Sequence, residues 1–262
     1  MIDSCYMPAQ WAEETGAVTS LVKPDNVFAY TTLRCVGPER SGFSRGSYDS
    51  FNLATHVGDV PAAVTANRKK LSSDLSLPAE PVWLDQVHSN QVVRADRAKP
   101  VEIPRADASV TSSQGVVCAV LTADCLPVFF CNRQGSEVAV AHAGWRGLHA
   151  GILSATLAKM QSPAGDVLVS LGPAIGPQAF EVGQDVYDAF LSKNSANHQA
   201  FVATDDTHYL CDIYRLARIE LSASGVTSIA GGNHCSYDEA ELFYSYRRQS
   251  ATGRMASLIW LG

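Results

Sequence analysis

The sequence predicts a mixed α/β chain that folds as one domain. Apolar runs of strand length alternate along it with segments whose apolar residues recur at helical spacing. No internal repeat and no Pro/Gly/Ser-rich linker divides the 262 residues. A hydrophobic fraction of 46% and a charged fraction of 18% are ordinary for a globular protein, so a disordered chain, a collagen-like repeat and a coiled coil are excluded.

The strands are predicted from their apolar runs. The run from Val116 to Leu121 is uninterrupted, which indicates a strand that is buried on both faces. Val128 to Cys131 forms a second strand and leads into the turn-forming segment 132–135. We predict further strands over residues 137–142, 167–171 and 255–261.

Three helices are predicted from spacing and from their end signals. The first is expected over residues 147–160, where the apolar residues share one face: Leu148, Ile152, Leu153 and Leu157. A second, shorter helix is expected over 185–191. Asp212 is predicted to cap the start of a third helix, and Gly225 lies beyond its end.

Composition and the N-terminal segment predict where the protein acts. The net charge of −6 argues against nucleic-acid and membrane partners, and no apolar run approaches the ~20 residues that span a bilayer. Residues 1–27 are the least patterned and are predicted to be a partly loose extension to a domain over 28–262; they show no signal-peptide pattern. Seven scattered cysteines without a CxxC pair indicate reduced thiols, so we expect a cytoplasmic protein.

A literal match to the GxSxG nucleophile elbow occurs at Gly42–Gly46, with Ser44 in the nucleophile's place. The elbow requires a strand before the serine and a helix directly after it. Turn-forming residues flank this segment on both sides, so we predict that Ser44 is not catalytic.

Three residues suited to binding a transition metal follow predicted strands. They are His88, at the end of a short predicted strand over 82–84, Cys125, after the 116–121 strand, and His142, which ends the 137–142 strand. Two histidines and a cysteine leave a fourth coordination position open, as in catalytic zinc sites. Their spacing is not a compact metal motif, so the alternative remains that Cys125 only packs in the core and the histidines are structural.

A second cluster of residues is suited to binding anions. It comprises Arg146 and the segment Tyr246-Arg247-Arg248 that leads to Thr252-Gly253-Arg254. Guanidinium groups match the geometry of phosphate and carboxylate groups. Solvated surface charge is the alternative.

The chain resembles the YfiH family, bacterial laccase-domain proteins that are described as polyphenol oxidases or purine nucleoside phosphorylases. The resemblance covers residues 28–262. The segments that carry it are Tyr48–Leu53, His56–Asp59, Gln86–His88, Ala123–Pro127, His142–Gly147, Gly172–Gly176, Phe180–Gly183, Ser245–Arg248 and Thr252–Arg254.

The resemblance implies a single-domain layered sandwich of mixed β-sheets flanked by helices, similar to deamidating cytotoxic-toxin domains. It implies a zinc site at His88, Cys125 and His142, with copper as an alternative metal. The implied activities are phosphorolysis of adenosine, inosine and methylthioadenosine, and deamination of adenosine. Catalytic roles are therefore expected for Cys125, His142 and Asp124, with Glu181 as a second carboxylate near the motifs. Expected substrate-binding residues are Asn52, Gln86, Arg146, Arg247 and Arg248.

Three alternatives to a zinc enzyme stay open. A multicopper laccase needs many more imidazoles, and the remaining histidines are scattered along the chain. In the second alternative, Cys125 is a nucleophile with His142 as its base, as in an amidase that removes a misincorporated serine from peptidoglycan precursors. The third is a regulatory metal-binding module, which would need neither Gln86 nor the arginines.

Overall fold

A computed structural model describes residues 5–11, 23–35, 42–96 and 102–262. These residues contain thirteen strands and five α-helices. The strands are β1 (Tyr6–Pro8), β2 (Val27–Thr32), β3 (Val92–Arg94), β4 (Ala108–Thr111), β5 (Val117–Thr122), β6 (Leu126–Asn132), β7 (Val138–Ala143), β8 (Val167–Leu171), β9 (Glu181–Gly183), β10 (Phe201–Ala203), β11 (His208–Cys211), β12 (Ser228–Gly231) and β13 (Met255–Leu261). The helices are α1 (Pro61–Asp74), α2 (Trp145–Ala150), α3 (Ile152–Lys159), α4 (Gln184–Lys193) and α5 (Ile213–Ala223).

The strands form three sheets, of four, six and three strands. The four-stranded sheet has the order β1-β2-β13-β5 and is antiparallel throughout. The six-stranded sheet, β12-β8-β6-β7-β4-β3, is mixed, because its two edge pairs are parallel and its inner pairs antiparallel. A small sheet, β10-β11-β9, lies beside α4. The predicted class, mixed sheets flanked by helices, is confirmed.

The two larger sheets pack face to face, and helices cover their outer faces. Alternate residues of β5 show this arrangement: Val120 packs between the sheets, whereas Val117 packs on the outer side with Leu71 of α1. In β6, Phe129 points to the layer between the sheets and Phe130 to the layer under α2, α3 and α5. Both strands are therefore buried on both faces, as the uninterrupted apolar run predicts for β5.

The helix predicted over 147–160 is two helices. Gly151 has a φ of +87° and separates α2 from α3. This left-handed conformation, which glycine adopts without the steric penalty of a side chain, ends one helix and begins the next. The prediction for Asp212 is confirmed, since its side chain accepts the Arg215 amide at the start of α5, and Gly225 follows the helix with a φ of +90°.

Part of the predicted N-terminal extension is built into the fold. β1 pairs with β2, and Trp11 is buried between the sheets. Residues 1–4 and 12–22 of that extension lie outside the described residues. Cys5 and Cys35 are joined in a disulfide, so the expectation of seven reduced thiols is wrong for this pair. No helix in the described ranges is long and apolar enough to cross a membrane.

Candidate active site

A pocket of about 280 Å³ opens where the chain crosses from one large sheet to the other. β5 ends at Thr122 in the four-stranded sheet, and β6 begins at Leu126 in the six-stranded sheet. The crossing segment therefore faces the pocket directly. The lining residues are His56, Gln86, His88, Leu121, Thr122, Ala123, Asp124, Cys125, His142, Ile175, Phe180, Tyr246, Arg247 and Arg254.

His88, Cys125 and His142 come together on one wall, which we call the ligand wall. One potential ligand atom from each residue lies within 4.8 Å of the others. Cys125 Sγ is 3.8 Å from His88 Nε2, and the two imidazole rings stand edge to face with centroids 4.9 Å apart. His142 is buried, Cys125 half-buried and His88 exposed, so the group is reached from the pocket.

Neighbouring strands position two of these residues. Cys125 directly precedes β6. His142 lies in the adjacent strand β7, where it pairs with Pro127 of β6. His88 was expected at the end of a strand over 82–84, but the structure has only isolated bridges there, and His88 lies in a loop with a φ of +59°. The carboxylate of Asp107 accepts hydrogen bonds from the backbone amides of residues 87–89 and holds this loop.

Gly144 leaves the space that the ligand wall needs. A Cβ atom at this position would lie 2.9 Å from Cys125 Sγ and 2.9 Å from His88 Cδ2. Real Cβ atoms do not approach other atoms so closely, so any side chain here would displace the two ligands. The Gly-Trp-Arg-Gly segment after β7 therefore serves the pocket as well as the start of α2.

The ligand wall is strongly coupled electrostatically. Burial opposes ionisation of Cys125, but the neighbouring His142 and His88 lower the pKa of its thiol to about 6. Burial also disfavours the imidazolium of His142, yet the Cys125 thiolate and Asp107 raise its pKa to about 9. Without a metal, the two side chains form a thiolate–imidazolium pair at neutral pH.

The donor set fits a transition metal. A thiolate and two imidazoles are ligands that zinc and copper share, and a low thiol pKa favours the ligating thiolate form. His142 Nδ1 is 2.8 Å from Asp107 Oδ1, the arrangement of a metal-binding histidine whose other nitrogen is held by a carboxylate. Among the described residues, this is the one group of three or more such side chains with converging ligand atoms.

Two guanidinium groups in the lining of the same pocket form what we call the arginine wall. Arg247 donates to the Glu181 carbonyl oxygen and lies over the Phe180 ring. Arg254 donates to two backbone carbonyls, of residues 252 and 253, and lies over the Tyr246 ring. Burial lowers the pKa of Arg254, but a guanidinium remains charged at neutral pH. In the described part of the chain, neither guanidinium forms an ion pair with a carboxylate.

Asp124 and Gln86 also line the pocket. Asp124 has a φ of +89°, and its carboxylate accepts hydrogen bonds from Ser236 Oγ and from the Arg247 amide. It thereby connects the crossing segment to the loop that carries Arg247. The Gln86 amide exchanges two hydrogen bonds with the backbone of Leu121 at the end of β5.

The other residues predicted to form the site lie outside the pocket lining. Asn52 is fully buried and accepts the backbone amide of Arg254. Arg248 donates to three backbone carbonyls, of residues 236, 237 and 243, so its guanidinium is engaged in fixing a loop. Arg146 is exposed and lies over the ring of Trp145, and the Glu181 side chain is also exposed.

Ser44 lies outside the pocket lining as well. It is fully buried, and its hydroxyl bonds to Asp59 and Asn67 rather than to a histidine. A 3-10 turn, Gly46–Tyr48, follows it where a nucleophile elbow would have an α-helix. Residues 36–41 before it lie outside the described ranges.

Two contributors to the site, His56 and Asp107, were missed as functional residues, and Arg254 was expected only as a member of the anion-binding cluster. His56 and Arg254 line the pocket, and Asp107 supports the ligand wall. Burial and the nearby charge of Arg254 lower the pKa of His56, which favours its neutral form. Arg254 belongs to the arginine cluster noted in the sequence, whereas nothing local to Asp107 distinguishes it from other aspartates.

Comparisons with known proteins agree on one family, whose members carry the names of two different activities. Residues 34–262 match the family described as multi-copper polyphenol oxidoreductase laccase. The purine nucleoside phosphorylase YfiH of Escherichia coli is 51% identical over 227 residues, which cover 87% of this chain and 93% of that protein. A purine nucleoside phosphorylase of Pseudomonas aeruginosa is 51% identical over 228 residues, covering 87% of this chain and 92% of the relative.

A solved structure matches along nearly the whole chain. The crystal structure of a Neisseria meningitidis protein of the DUF152 family is 46% identical and superposes with a TM-score of 0.88. The match covers 98% of this chain and 99% of the Neisseria protein.

Proposed function

The chain belongs to the laccase-like family that includes the YfiH proteins, as its motifs predict, and on that premise we propose that it is a metal-dependent purine nucleoside phosphorylase. One observation carries the proposal: a single pocket combines a His-Cys-His ligand wall with two guanidinium groups that have no carboxylate partner among the described residues. Its volume of about 280 Å³ lies near the lower end of small-molecule sites, roughly 300–1,000 Å³, which suits a ligand of nucleoside size.

The arginine wall would hold the phosphate. In phosphorolysis, a phosphate oxygen forms a bond to the ribose C1′ while the bond from C1′ to the purine nitrogen breaks, and the purine leaves with its bonding pair and gains a proton. Arg247 and Arg254 would neutralise and orient the phosphate, because guanidinium groups bind it through two parallel hydrogen bonds. Their charge is available because backbone carbonyls and aromatic rings, rather than carboxylates, hold them.

Two aromatic side chains would hold the purine. Phe180 and Tyr246 line the same side of the pocket as the arginines, and Tyr246 is 56% exposed although its ring is large. A planar base gains favourable contact by packing on such a ring. We propose adenosine, inosine and methylthioadenosine as substrates, with deamination of adenosine as a second activity of the same pocket.

The ligand wall would hold zinc through His88, Cys125 and His142. When bound, the metal supplies Lewis acidity at this point of the pocket. Copper binds such ligands more tightly than zinc does, so we attribute any oxidation of phenols to protein loaded with copper. A multicopper cluster is not supported, since the described residues contain one converging ligand group. The cytoplasmic location stays a prediction.

A second candidate is an amidase with Cys125 as its nucleophile. The observation that favours it is the sequence of contacts from Cys125 through His142 to Asp107, which resembles a Cys-His-Asp catalytic triad. The thiol pKa of about 6 would leave a thiolate ready to attack a carbonyl carbon at neutral pH. Its substrate would be a peptidoglycan precursor that carries a misincorporated serine.

One experiment separates the two candidates. The purified protein is assayed for metal content, for adenosine phosphorolysis with phosphate, and for release of serine from a muramoyl-serine precursor, before and after chelation. We expect phosphorolysis to disappear with the zinc and to return when zinc is restored. Full phosphorolysis in metal-free protein would contradict the metal-dependent mechanism, and serine release that survives chelation would favour the amidase.

A further inference from the structure

A buried carboxylate outside the ligand set connects the parts of the ligand wall. Asp107 is fully buried just before β4 and accepts five hydrogen bonds. Oδ1 accepts from the His88 amide at 3.0 Å and lies 2.8 Å from His142 Nδ1. Oδ2 accepts from the amides of Val87 and Ser89 and from the Ser89 hydroxyl.

The backbone of Asp107 joins the same two segments. Its amide donates to the Gln91 carbonyl at 3.0 Å, and its carbonyl accepts the His142 amide at 2.7 Å. Side chain and backbone therefore both bridge the 87–91 loop to β7. Among the hydrogen bonds of the described residues, only those of Asp107 reach both the backbone of one histidine ligand and the ring of the other.

His88 needs this support because its backbone is in the left-handed region at φ +59°. That conformation is sterically unfavourable for a residue with a side chain and persists only where surrounding contacts fix it. Three consecutive amides pointing at one carboxylate supply such contacts. The loop then presents the His88 ring to Cys125.

We propose that Asp107 is the positioning residue of the metal site: it fixes the proton of His142 on Nδ1, leaving Nε2 free to ligate, and holds the His88 loop in its ligating conformation. The role rests on the proposed metal site and adds to it a residue that touches neither metal nor substrate. In metal sites generally, loss of such a partner weakens affinity by about 10–100-fold.

The test compares Asp107→Asn with Glu137→Gln. The first substitution keeps the volume of the side chain, but the new amide group must face either the His142 ring or the backbone amides, so one set of contacts is lost. Glu137 is a similarly buried carboxylate that accepts several amides at the opposite end of β7, which makes it a control for burial and stability. Zinc affinity is measured by chelator competition, and cobalt-loaded protein by its visible spectrum.

We expect Asp107→Asn to bind zinc about 10–100-fold more weakly, to shift the cobalt spectrum, and to lose the downfield proton NMR signal of His142 Nδ1–H. Glu137→Gln should lower the melting temperature and change none of the three. Equal zinc affinity in Asp107→Asn and wild type would overturn the role of Asp107 and leave the metal site standing. A wild type that takes up neither metal would overturn both.

NMR of the wild-type protein offers a second measurement, which does not depend on whether a variant folds. Zinc-loaded wild-type protein should show a slowly exchanging Nδ1 proton on His142, with Nε2 as the ligating nitrogen in nitrogen-15 spectra. A metal on Nδ1, or a fast-exchanging Nδ1 proton, would overturn the assignment of Asp107 without any substitution.

Discussion

The two walls of the pocket treat charge in opposite ways. On the ligand wall, the buried carboxylate of Asp107 contacts His142 and the His88 loop, so both histidines have a fixed orientation before any ligand arrives. On the arginine wall, Arg247 and Arg254 contact backbone carbonyls and aromatic rings, and their guanidinium groups form no ion pair with a carboxylate of the described residues.

The difference shows how one pocket serves two kinds of ligand. A metal demands ligand atoms fixed to within fractions of an ångström, so its site has charged hydrogen bonds behind it. A phosphate brings its own negative charge, so a carboxylate that formed an ion pair with either guanidinium group would compete with it. The two walls therefore differ in whether a buried carboxylate contacts the residues that would bind the ligand.

Replacing Cys125 with serine tests the ligand wall and should have the largest effect. The variant loses the one thiolate ligand, so we expect zinc content to fall and phosphorolysis to drop roughly a thousandfold or more. Metal analysis and steady-state kinetics measure the two losses. Cys235→Ser, a matched change at another half-buried cysteine, should keep both metal and activity. Retained zinc in an inactive Cys125→Ser protein would instead support Cys125 as a nucleophile.

Replacing Arg254 with alanine tests the arginine wall. Since its guanidinium has no carboxylate partner among the described residues, its loss should act on phosphate rather than on folding. We expect kcat/KM for phosphate to fall by about 10–100-fold, corresponding to ~1.4–2.8 kcal/mol, with zinc content unchanged. Arg215→Ala, at an exposed position of α5, is the control. If Arg254→Ala releases zinc and binds phosphate normally, Arg254 supports the metal site and the separate roles of the two walls are contradicted.

The pH dependence of Cys125 alkylation tests the charge on the ligand wall. With its pKa near 6, Cys125 in metal-free protein is roughly nine-tenths thiolate at pH 7, so its labelling by iodoacetamide should rise with pH around 6 and level off above 7. Bound zinc should slow this labelling. Cys118 and Cys131, whose thiol pKa burial raises to about 12, should stay unlabelled throughout. A midpoint near 8.5, roughly that of a free thiol, would show that His142 does not stabilise the Cys125 thiolate.

Replacing Ser44 with alanine should have the smallest effect on turnover. Its hydroxyl bonds to Asp59 and Asn67 in a buried network. Asp59 also accepts a hydrogen bond from Asn52, whose side chain accepts the Arg254 amide. We expect turnover close to wild type and a loss of about 1–3 kcal/mol in the free energy of unfolding, because partners are left unsatisfied. Denaturant titration and kinetics measure the two quantities. A hundredfold loss of turnover in folded protein would mean that Ser44 is catalytic.

The sequence predicts those parts of the site that follow from strand order. Cys125 and His142 lie next to apolar runs that form β6 and β7, so their proximity is readable from the pattern. His88 is different, because its place depends on Asp107, 19 residues away along the chain, and on a left-handed backbone that no local residue type signals. The same limit explains why Asp107 itself was missed.

The arginines show a second limit. Composition marks Arg247, Arg248 and Arg254 as equals, yet the fold engages Arg248 with three carbonyls and leaves the other two facing the pocket. Which of them turns inward is decided by the loop's contacts with Asp124 and Asn52, both distant in sequence. The break at Gly151 was, by contrast, available to sequence reasoning, since glycine within a helical pattern is itself a signal.

The place of β13 in the four-stranded sheet has a consequence for biogenesis. The last strand of the chain lies between β2 and β5 and pairs with both, and Arg254 directly precedes it. The sheet can close only once residues 255–261 have left the ribosomal exit tunnel, so β2 and β5 are made long before the strand that joins them. A product that stops before Met255 would lack this inner strand, and pocket activity in a cell extract would count only molecules translated through β13.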